Sequence, residues 1–309
     1  MKNIRLKITF IVLLTTTLGI SQETKQGVVI SGEPLAEALV KQWILDYSKN
    51  TSSNIAFKAK AKDSDLAVEF LNSETSKSNE DLKHFSIAKV AILPVAKSNA
   101  PIVLELKKKG LDENKLKALY FDDFLESTGK DDFSKIPHQV YTRLGETGVP
   151  AIFAQAFGYE TSSIKGNGIG GNDLHVINAM KADETAVSFN ALNLLYDVQT
   201  RQAVTGFTVL PVDLNGNGKV SDDELFYQDL DAILGKLQSL NPKDIKNIPI
   251  GELQIVVNIK ESNQETLNFL NWILVNGQAS LSKYGFLQAD TKTLKEERLY
   301  VNQLVANLK

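Results

Sequence analysis

VLPVDLNGNGKVSDDELFY, residues 209–227, is the stretch most informative about the fold, because a strand-like segment runs directly into a twelve-residue loop. The loop, residues 213–224, has oxygen-bearing side chains at its first, third and fifth positions, glycine at its sixth and glutamate at its twelfth. This is the spacing of a calcium loop of the EF-hand type. The β-branched segment before it favours a strand over a helix. The sequence therefore predicts a calcium site that staples a fold and does not switch it.

Oxygen donors fill each constrained position of this loop. The candidate calcium ligands are Asp213, Asn215, Asn217, Lys219 through its backbone carbonyl, Ser221 and Glu224. Ca²⁺ takes six to eight oxygens, and a glutamate at the twelfth position can bind through both of its own. We therefore expect structural Ca²⁺ as the cofactor. The alternative is a surface turn, which Asn and Gly also favour.

The first 21 residues have the pattern of an export signal. Lys2, Arg5 and Lys7 precede an apolar run at 8–14, and a small residue, Ser21, ends the segment. The pattern predicts a signal peptide at residues 1–21 and a periplasmic protein. The alternative, a membrane anchor, is disfavoured because the run is short for a span. The chain has no cysteine, which excludes a lipid anchor at the cleavage point, disulfides and thiolate metal sites.

Charge and length narrow the class further. The chain has 34 Lys and Arg against 37 Asp and Glu, and the signal holds three of the basic residues and no acidic one, so the remainder carries a net charge of −6. An acidic balance argues against a general nucleic-acid or anionic-membrane surface. The length suggests two domains or lobes. We expect no nucleic-acid partner and no membrane anchor.

Strand and helix patterns alternate along the chain, which predicts an α/β fold with covered sheets. The predicted strands are 28–30, 55–57, 87–95, 139–142, 186–189, 206–212 and 253–257, and the predicted helices are 34–47, 112–121, 150–157, one beginning at 173, one from the calcium loop to 240, 266–275 and 293–308. Residues 74–84 are polar and predict a loop. Pro94 predicts the end of its strand or an edge position.

Several stretches together resemble the phosphate-binding proteins of ABC phosphate importers, which are type II periplasmic binding proteins. They are VVISGEPLAEALVKQW (28–43), AKVAILPVAKSNAP (88–101), YTRLGETG (141–148), TAVSFNALNLLYD (185–197), the opening stretch at 209–227, and FLNWILVNGQASLSKYGFL (269–287). The resemblance implies two α/β lobes of mixed sheets flanked by helices, joined by two crossover strands, with the EF-hand-like loop added. Lobe 1 is expected at 22–100 and 206–309, and lobe 2 at 101–205.

The resemblance also implies a function and a site. It implies a monomeric solute-binding protein, not an enzyme, that captures an oxyanion, phosphate first, in the cleft for an ABC permease. Arg143, Thr147 and Gly148 match the family's Arg-x-x-x-small-Gly pattern, and Ser31, Gly32 and Asp65 are the expected ligand residues of lobe 1. Helix N-termini present free N–H groups to anions independently of any family. An ordinary surface salt bridge is the alternative for Arg143.

Two departures from the family's pattern keep a second function open. Glu33 stands where the family has a small or hydroxyl residue, and a carboxylate there would repel phosphate. Residues 58–67 replace the Gly/Ser-rich anion loop that the family has after its second strand. Anions that lose their partners are costly to bury. The alternative function is therefore a diverged calcium-stabilised binding or interaction module that no longer binds phosphate.

Other motifs do not indicate catalysis. The glycines of 166–171 have GxGxxG spacing, but no buried strand precedes them, so a flexible loop is expected. His84, His138 and His175 lie far apart in sequence and lack the spacing of metal ligands. The sequence has no nucleophile elbow.

Overall fold

The computed structural model describes residues 27–59, 61, 63–71, 81–123, 133 and 135–307 of the 309-residue chain. The predicted signal peptide at 1–21 lies outside these residues. Within the described ranges, no helix is both long and apolar enough to span a bilayer.

A mixed nine-stranded sheet forms the centre of the fold, in the order β2-β1-β3-β9-β4-β7-β5-β6, with β8 also paired to β4. The strands are β1 (Val28–Gly32), β2 (Ile55–Lys58), β3 (Leu66–Phe70), β4 (Leu82–Lys97), β5 (Gln139–Arg143), β6 (Asn167–Ile169), β7 (Ala186–Ala191), β8 (Phe207–Val209) and β9 (Ile250–Asn258). β1 is parallel to β2 and β3, and β5 is parallel to β6 and β7. β9 and β4 run antiparallel to their neighbours.

The long strand β4 divides the sheet into two halves. Residues 82–91 pair with β9, and residues 92–97 pair with β7 and β8. We call β2, β1, β3, β9 and the beginning of β4 the first half, and the end of β4 with β7, β5, β6 and β8 the second half. A strand shared in this way joins the two halves of the sheet through continuous backbone.

Pro94 lies inside β4, and neither predicted position, a strand end or an edge, describes it. Pairing to β9 stops at Ala91 and pairing to β8 begins at Val95, so on that side Pro94 falls in a gap between two partners. On this side of β4, the Ile92 N–H donates to the Pro249 carbonyl, and the Pro94 carbonyl accepts the Leu210 N–H. Proline lacks only the backbone N–H donor. Because Pro94 lies in the gap between the two partners, the missing donor costs no ladder hydrogen bond.

Helices cover the sheet where the sequence is amphipathic. They are α1 (Glu37–Ser48), α2 (Pro101–Lys109), α3 (Glu113–Tyr120), α4 (Val149–Ala156), α5 (Asp173–Met180), the short α6 (Leu192–Leu195), α7 (Leu230–Ser239), α8 (Gln264–Val275) and α9 (Thr291–Asn307). Trp43 of α1 is fully buried, and its indole N–H donates to the Gly277 carbonyl at 2.9 Å. Its partner lies 234 residues away, so this bond closes the N-terminal and C-terminal parts of the chain into one core.

The second half has an aromatic core. Phe153 of α4 stacks on Phe189 of β7 with ring centroids 3.7 Å apart, and Tyr120 meets both rings edge-on. The Tyr120 hydroxyl donates to the Ser188 carbonyl at 2.7 Å, which satisfies the polar end of a buried ring. Such pairs contribute about 0.5–1.5 kcal/mol beyond the area that they bury. They hold α4 in a fixed position on the sheet.

Most predicted elements match the structure, including the Asp112 N-cap of α3, whose side chain accepts from the Lys115 N–H. Four differ. Residues 82–84, expected in a loop, are the start of β4, and residues 167–169, expected in a flexible loop, are the edge strand β6. The calcium loop leads into a short 3-10 helix at Asp222–Glu224, and α7 begins only at Leu230. β3 and α2 were not predicted.

Strand pairing bears on the lobe boundaries. β8 pairs with the second half of the sheet, and Val212 bridges to Leu111, which follows α2. The chain returns to the first half only at β9. The boundaries expected from the sequence place 206–249 in lobe 1. This pairing favours a lobe 2 of about 92–249, and the boundaries stay a prediction.

Candidate solute-binding cleft

A cavity of about 390 Å³ lies between the two halves of the sheet. It opens at the carboxyl ends of the parallel strands β1 and β3, and the loop that leads from β5 into α4 closes its other side. Ligands of open α/β sheets bind beyond the carboxyl ends of strands, where loops diverge. The position alone makes this cavity the candidate site.

The first wall is the end of β1. Gly32 has φ +143°, and a Cβ there would lie 2.1 Å from the Val68 carbonyl oxygen, so only glycine fits. The next residue, Glu33, donates its N–H to that carbonyl at 2.9 Å. Ser31, almost fully buried, donates from Oγ to Ser64 Oγ at 2.7 Å. Close packing of β1 on β3 thus brings Glu33 to the cavity.

The second wall is the turn before α4. Gly148 is the N-cap with φ +71°, and a Cβ there would lie 2.5 Å from Arg143 Nη2. Arg143 Nη2 donates to the Thr147 carbonyl. Among the described residues, the N–H groups of Thr147 and Gly148 have no protein acceptor, and the α4 N-terminus begins at Val149. The turn therefore presents free donors to the cavity, with a guanidinium directly behind them.

A carboxylate already holds that guanidinium. Arg143 Nε donates to Asp173 Oδ1 at 3.1 Å, and their side chains are 14% and 10% exposed. Asp173 is the first residue of α5, which Asn172 caps. Burial raises the pKa of Asp173, although the Arg143 charge and its hydrogen bond oppose the rise. Arg143 is thus a buried ion pair and not an exposed surface salt bridge; within the described chain, its Nη1 has no acceptor.

Glu33 is a cavity-lining carboxyl with a displaced pKa. Burial raises its pKa from 4.5 to about 7; the Arg143 charge lowers it, and the charges of Asp173 and Glu69 raise it further. Its side chain has no hydrogen bond or ion pair with any described residue. A carboxyl in this state takes or releases a proton near neutral pH.

The floor of the cavity is apolar. Phe70 from the end of β3 and Ile152 from α4 approach each other over Gly251 of β9. A Cβ on Gly251 would lie 2.6 Å from Ile152 Cδ1 and 3.3 Å from Phe70 Cε1. Glycine at this point of β9 lets the two halves of the fold meet.

The structure brings most of the sequence-derived ligand residues together. Ser31, Gly32, Thr147 and Gly148 line one cavity, and Arg143 lies behind it. Asp65 does not join them. Its Oδ2 accepts the Val29 N–H at 2.7 Å and its own N–H donates to the Val29 carbonyl, so it pins the chain entering β3 to β1 and lines a different cavity.

Sequence reasoning missed four residues of the site. Glu69 and Phe70 belong to β3, whose apolar residues at 66, 68 and 70 carry the period-two signal of a strand. Ile152 lies within a helix that was predicted without its orientation. Asp173 had no sequence signal as a partner of Arg143, because a contact over 30 residues depends on the packing of α5 beside β5.

The predicted calcium loop lies outside this cleft. Asp213 and Glu224 are buried, at 0% and 2% exposure. Asp213 Oδ2 accepts the Gly218 N–H at 2.6 Å, and Glu224 Oε1 accepts the Leu214 N–H at 2.8 Å. Gly218 at the sixth position has φ +86°, as the sharp turn requires. These hydrogen bonds would form both in a metal-free turn and in a calcium loop, so they do not distinguish the two.

The donor chemistry of the loop fits Ca²⁺. No group of three His, Cys, Asp or Glu side chains suited to a metal occurs among the described residues. The loop instead combines two carboxylates with amide, hydroxyl and carbonyl oxygens, all of them hard donors. Asn247 donates to the Asp213 carbonyl at 2.6 Å, which ties the loop to the segment entering β9.

No protein-family profile and no curated protein sequence matches the chain. Among solved structures, it is similar to a protein described as a phosphate ABC transporter substrate-binding protein from Clostridium perfringens, with bound phosphate, at TM-score 0.59 and 15% identity over 85% of this chain and 100% of that one. It is similar to an ABC-type phosphate transport receptor from Vibrio cholerae at TM-score 0.56 and 13% identity, over 85% and 100%.

A third similar structure is a high-affinity periplasmic phosphate-binding protein bound with phosphate, at TM-score 0.58 and 10% identity, over 88% of this chain and 93% of that one. Identities this low show the fold and leave the ligand open. The resemblance inferred from sequence is confirmed at that level: the chain has the mixed α/β fold of the substrate-binding proteins of phosphate ABC transporters.

Proposed function

We propose that this protein is a periplasmic solute-binding protein, not an enzyme, which captures an oxyanion in the cleft and delivers it to an ABC permease. The observation that carries the proposal is the turn before α4. Its free N–H groups at Thr147 and Gly148 face a cavity between two halves of the fold, with Arg143 behind them. Backbone donors and a guanidinium are the groups that grip tetrahedral oxyanions. Closure of the halves around the solute would complete its coordination.

Phosphate is the first oxyanion to test. Glu33 takes the place of Asp65 as the expected carboxyl partner of the solute, because Glu33 lines the cleft and Asp65 lines a different cavity. Its pKa of about 7 allows it to be protonated, and so to donate, in the working range of pH. An ionised Glu33 opposes phosphate, so Glu33→Ser should tighten phosphate binding.

Isothermal titration calorimetry of the mature chain with phosphate and sulfate tests the proposal. Saturable heat with phosphate, and tighter phosphate binding by Glu33→Ser, support the proposal. If neither wild type nor Glu33→Ser gives heat with millimolar phosphate, sulfate or small organic anions, oxyanion capture is wrong. Each charge-assisted hydrogen bond to the oxyanion contributes about 1.5–3 kcal/mol. Losing one such bond should therefore raise the Kd about tenfold to a hundredfold.

The second candidate is a diverged, calcium-stabilised interaction module that no longer binds phosphate. The Arg143–Asp173 pair favours it, because a guanidinium held by a buried carboxylate has less charge to offer an anion. The same titrations separate the two candidates. In both, we propose that Ca²⁺ bound by Asp213, Asn215, Asn217, the Lys219 carbonyl, Ser221 and Glu224 has a structural role.

A further inference from the structure

The charges around the cleft do not suit a simple dianion. The carboxylates of Glu69 and Asp173 both lie within electrostatic reach of the Glu33 carboxyl, and so does the Arg143 guanidinium. Adding phosphate would place two further negative charges beside an already acidic wall. Charge repulsion of this kind is how sites reject ligands. A cleft with this balance is better suited to a solute that also carries positive charge.

The charges are also separated in space. Glu33 and Glu69 belong to the first half of the fold, at the carboxyl ends of β1 and β3, which lie side by side as parallel strands. The free donors at Thr147 and Gly148 belong to the second half. One wall therefore accepts hydrogen bonds from a cation, and the opposite wall donates them to an anion.

The cavity has room for more than an inorganic ion. Its volume of about 390 Å³ corresponds to roughly a dozen waters at about 30 Å³ each, far more than the five heavy atoms of phosphate fill. Phe70 and Ile152 form an apolar floor between the two polar walls. Methylene groups bind such a floor favourably.

We propose that the cleft takes a zwitterion, an oxyanion joined to an ammonium group by a short apolar chain. The oxyanion binds the Thr147–Gly148 turn, the ammonium binds between Glu33 and Glu69, and the chain lies on Phe70. The inference rests on the proposed capture of an oxyanion in this cleft and specifies the class of solute. Glu33, with its pKa near 7, makes the preference for the ammonium group stronger at pH 8 than at pH 6.

Calorimetry with three probes tests this: 2-aminoethylphosphonate, ethylphosphonate and inorganic phosphate, each at pH 8 on the mature chain. We expect 2-aminoethylphosphonate to bind at least tenfold tighter than ethylphosphonate, which lacks only the ammonium group. Glu33→Gln should collapse that ratio by weakening the first and strengthening the second. Glu160→Gln, which makes the same change in charge at an exposed site outside the cavity, should keep the ratio.

The outcomes separate the two proposals. Equal affinity for the two phosphonates, or tighter binding of ethylphosphonate, overturns the zwitterion and leaves oxyanion capture standing. A ratio that survives Glu33→Gln and Glu69→Gln also overturns it, since the ammonium would then be read elsewhere. No heat with any of the three probes overturns the zwitterion, and oxyanion capture falls with it if sulfate and small organic anions also give no heat with wild type and Glu33→Ser.

Discussion

Arg143 donates to Asp173 across 30 residues of sequence, at 3.1 Å from Nε to Oδ1, and both side chains are nearly buried. The Arg143 guanidinium beside the cleft is therefore oriented before any solute arrives. Asp173 leaves Nη1 free while holding Nε, which fixes the plane of the group behind Gly148. The pair both stabilises the fold and moderates the charge that the cleft presents.

Removing the carboxylate should cost stability. Asp173→Ala leaves a nearly buried guanidinium with one partner fewer, and breaking a buried pair typically costs about 3–5 kcal/mol. Because 14% of the Arg143 side chain is exposed, we expect about 2–4 kcal/mol, measured by urea unfolding. The matched control is Asp231→Ala. Asp231 lies in the first turn of α7 and is also paired with an arginine, Arg201, but its side chain is 69% exposed. Asp231→Ala should lower the free energy of unfolding by less than about 1 kcal/mol. Equal losses of stability in the two variants would contradict the prediction.

Gly148 should be required for the cleft and not only for its turn. Gly148→Ala places a Cβ 2.5 Å from Arg143 Nη2 at φ +71°, so it should displace the guanidinium and weaken phosphate or phosphonate binding at least tenfold. Gly158→Ala is the control: φ is +82°, but a Cβ there meets nothing within 4 Å. Both positions have a positive φ, which disfavours alanine in either variant. Calorimetry that finds the two variants equally impaired in binding would show strain alone to be responsible.

Glu33 should make the stability of the free protein depend on pH. Its folded-state pKa of about 7 lies above the ordinary 4.5, so between these values the folded protein binds more protons than the unfolded chain. Stability then falls as pH rises through this window. Glu33→Gln removes the loss, and its Tm advantage over wild type should grow from pH 5 to pH 8, at roughly 2–4 °C for each kcal/mol. A constant Tm difference across this range, as expected for Glu160→Gln, would contradict the prediction.

The last helix should be held on the sheet through a bulge in β4. The register of β4 against β9 shifts between Ser86 and Ala88, and the freed Ser86 N–H donates to Glu297 Oε1 of α9 at 2.8 Å. Glu297→Ala leaves this buried donor unpaired, which costs about 1–3 kcal/mol. The measurement belongs near pH 4.5, because burial raises the pKa of Glu297 from 4.5 to about 7 and the loss of stability that grows as pH rises through this window is still small there.

The control for the bulge is Glu296→Ala, one residue away and exposed, which should change stability by less than about 0.5 kcal/mol. Hydrogen exchange gives a local readout. The Ser86 amide should exchange faster in Glu297→Ala and at the wild-type rate in Glu296→Ala. Unchanged protection of Ser86 in both variants would contradict the assigned contact.

Local sequence patterns determined much of this fold, and contacts over long sequence separations determined the rest. Periodicity predicted α1, which buries one continuous face, and a run that is apolar nearly all round predicted α8. It missed β3, a five-residue strand after a polar segment, and therefore missed Glu69 and Phe70 in the cleft. Asp65 was expected to bind the solute, but a reciprocal pair of bonds to Val29 directs it to a different cavity. No local signal encodes such pairings, because they form only when β1 and β3 align.

The predicted calcium loop should make the thermal stability of the protein depend on Ca²⁺. The carboxylates of Asp213 and Glu224 are buried and already accept backbone N–H groups. Glu224→Ala should therefore lower the Tm even in EDTA, since Leu214 and Ser221 lose their acceptor. The Tm alone cannot identify a calcium ligand; the difference in Tm between Ca²⁺ and EDTA can.

We expect Ca²⁺ added to metal-stripped wild type to raise the Tm by about 5–10 °C, since a hundredfold excess over Kd stabilises by about 2.7 kcal/mol. Glu224→Ala should abolish this difference, because it removes the residue at the bidentate position. Asp222→Asn is the control: it removes a charge from the same loop at an exposed residue that is not a predicted ligand, and it should keep the response. Identical melting curves for wild type in Ca²⁺ and EDTA would show that residues 213–224 form a hydrogen-bonded turn without a metal.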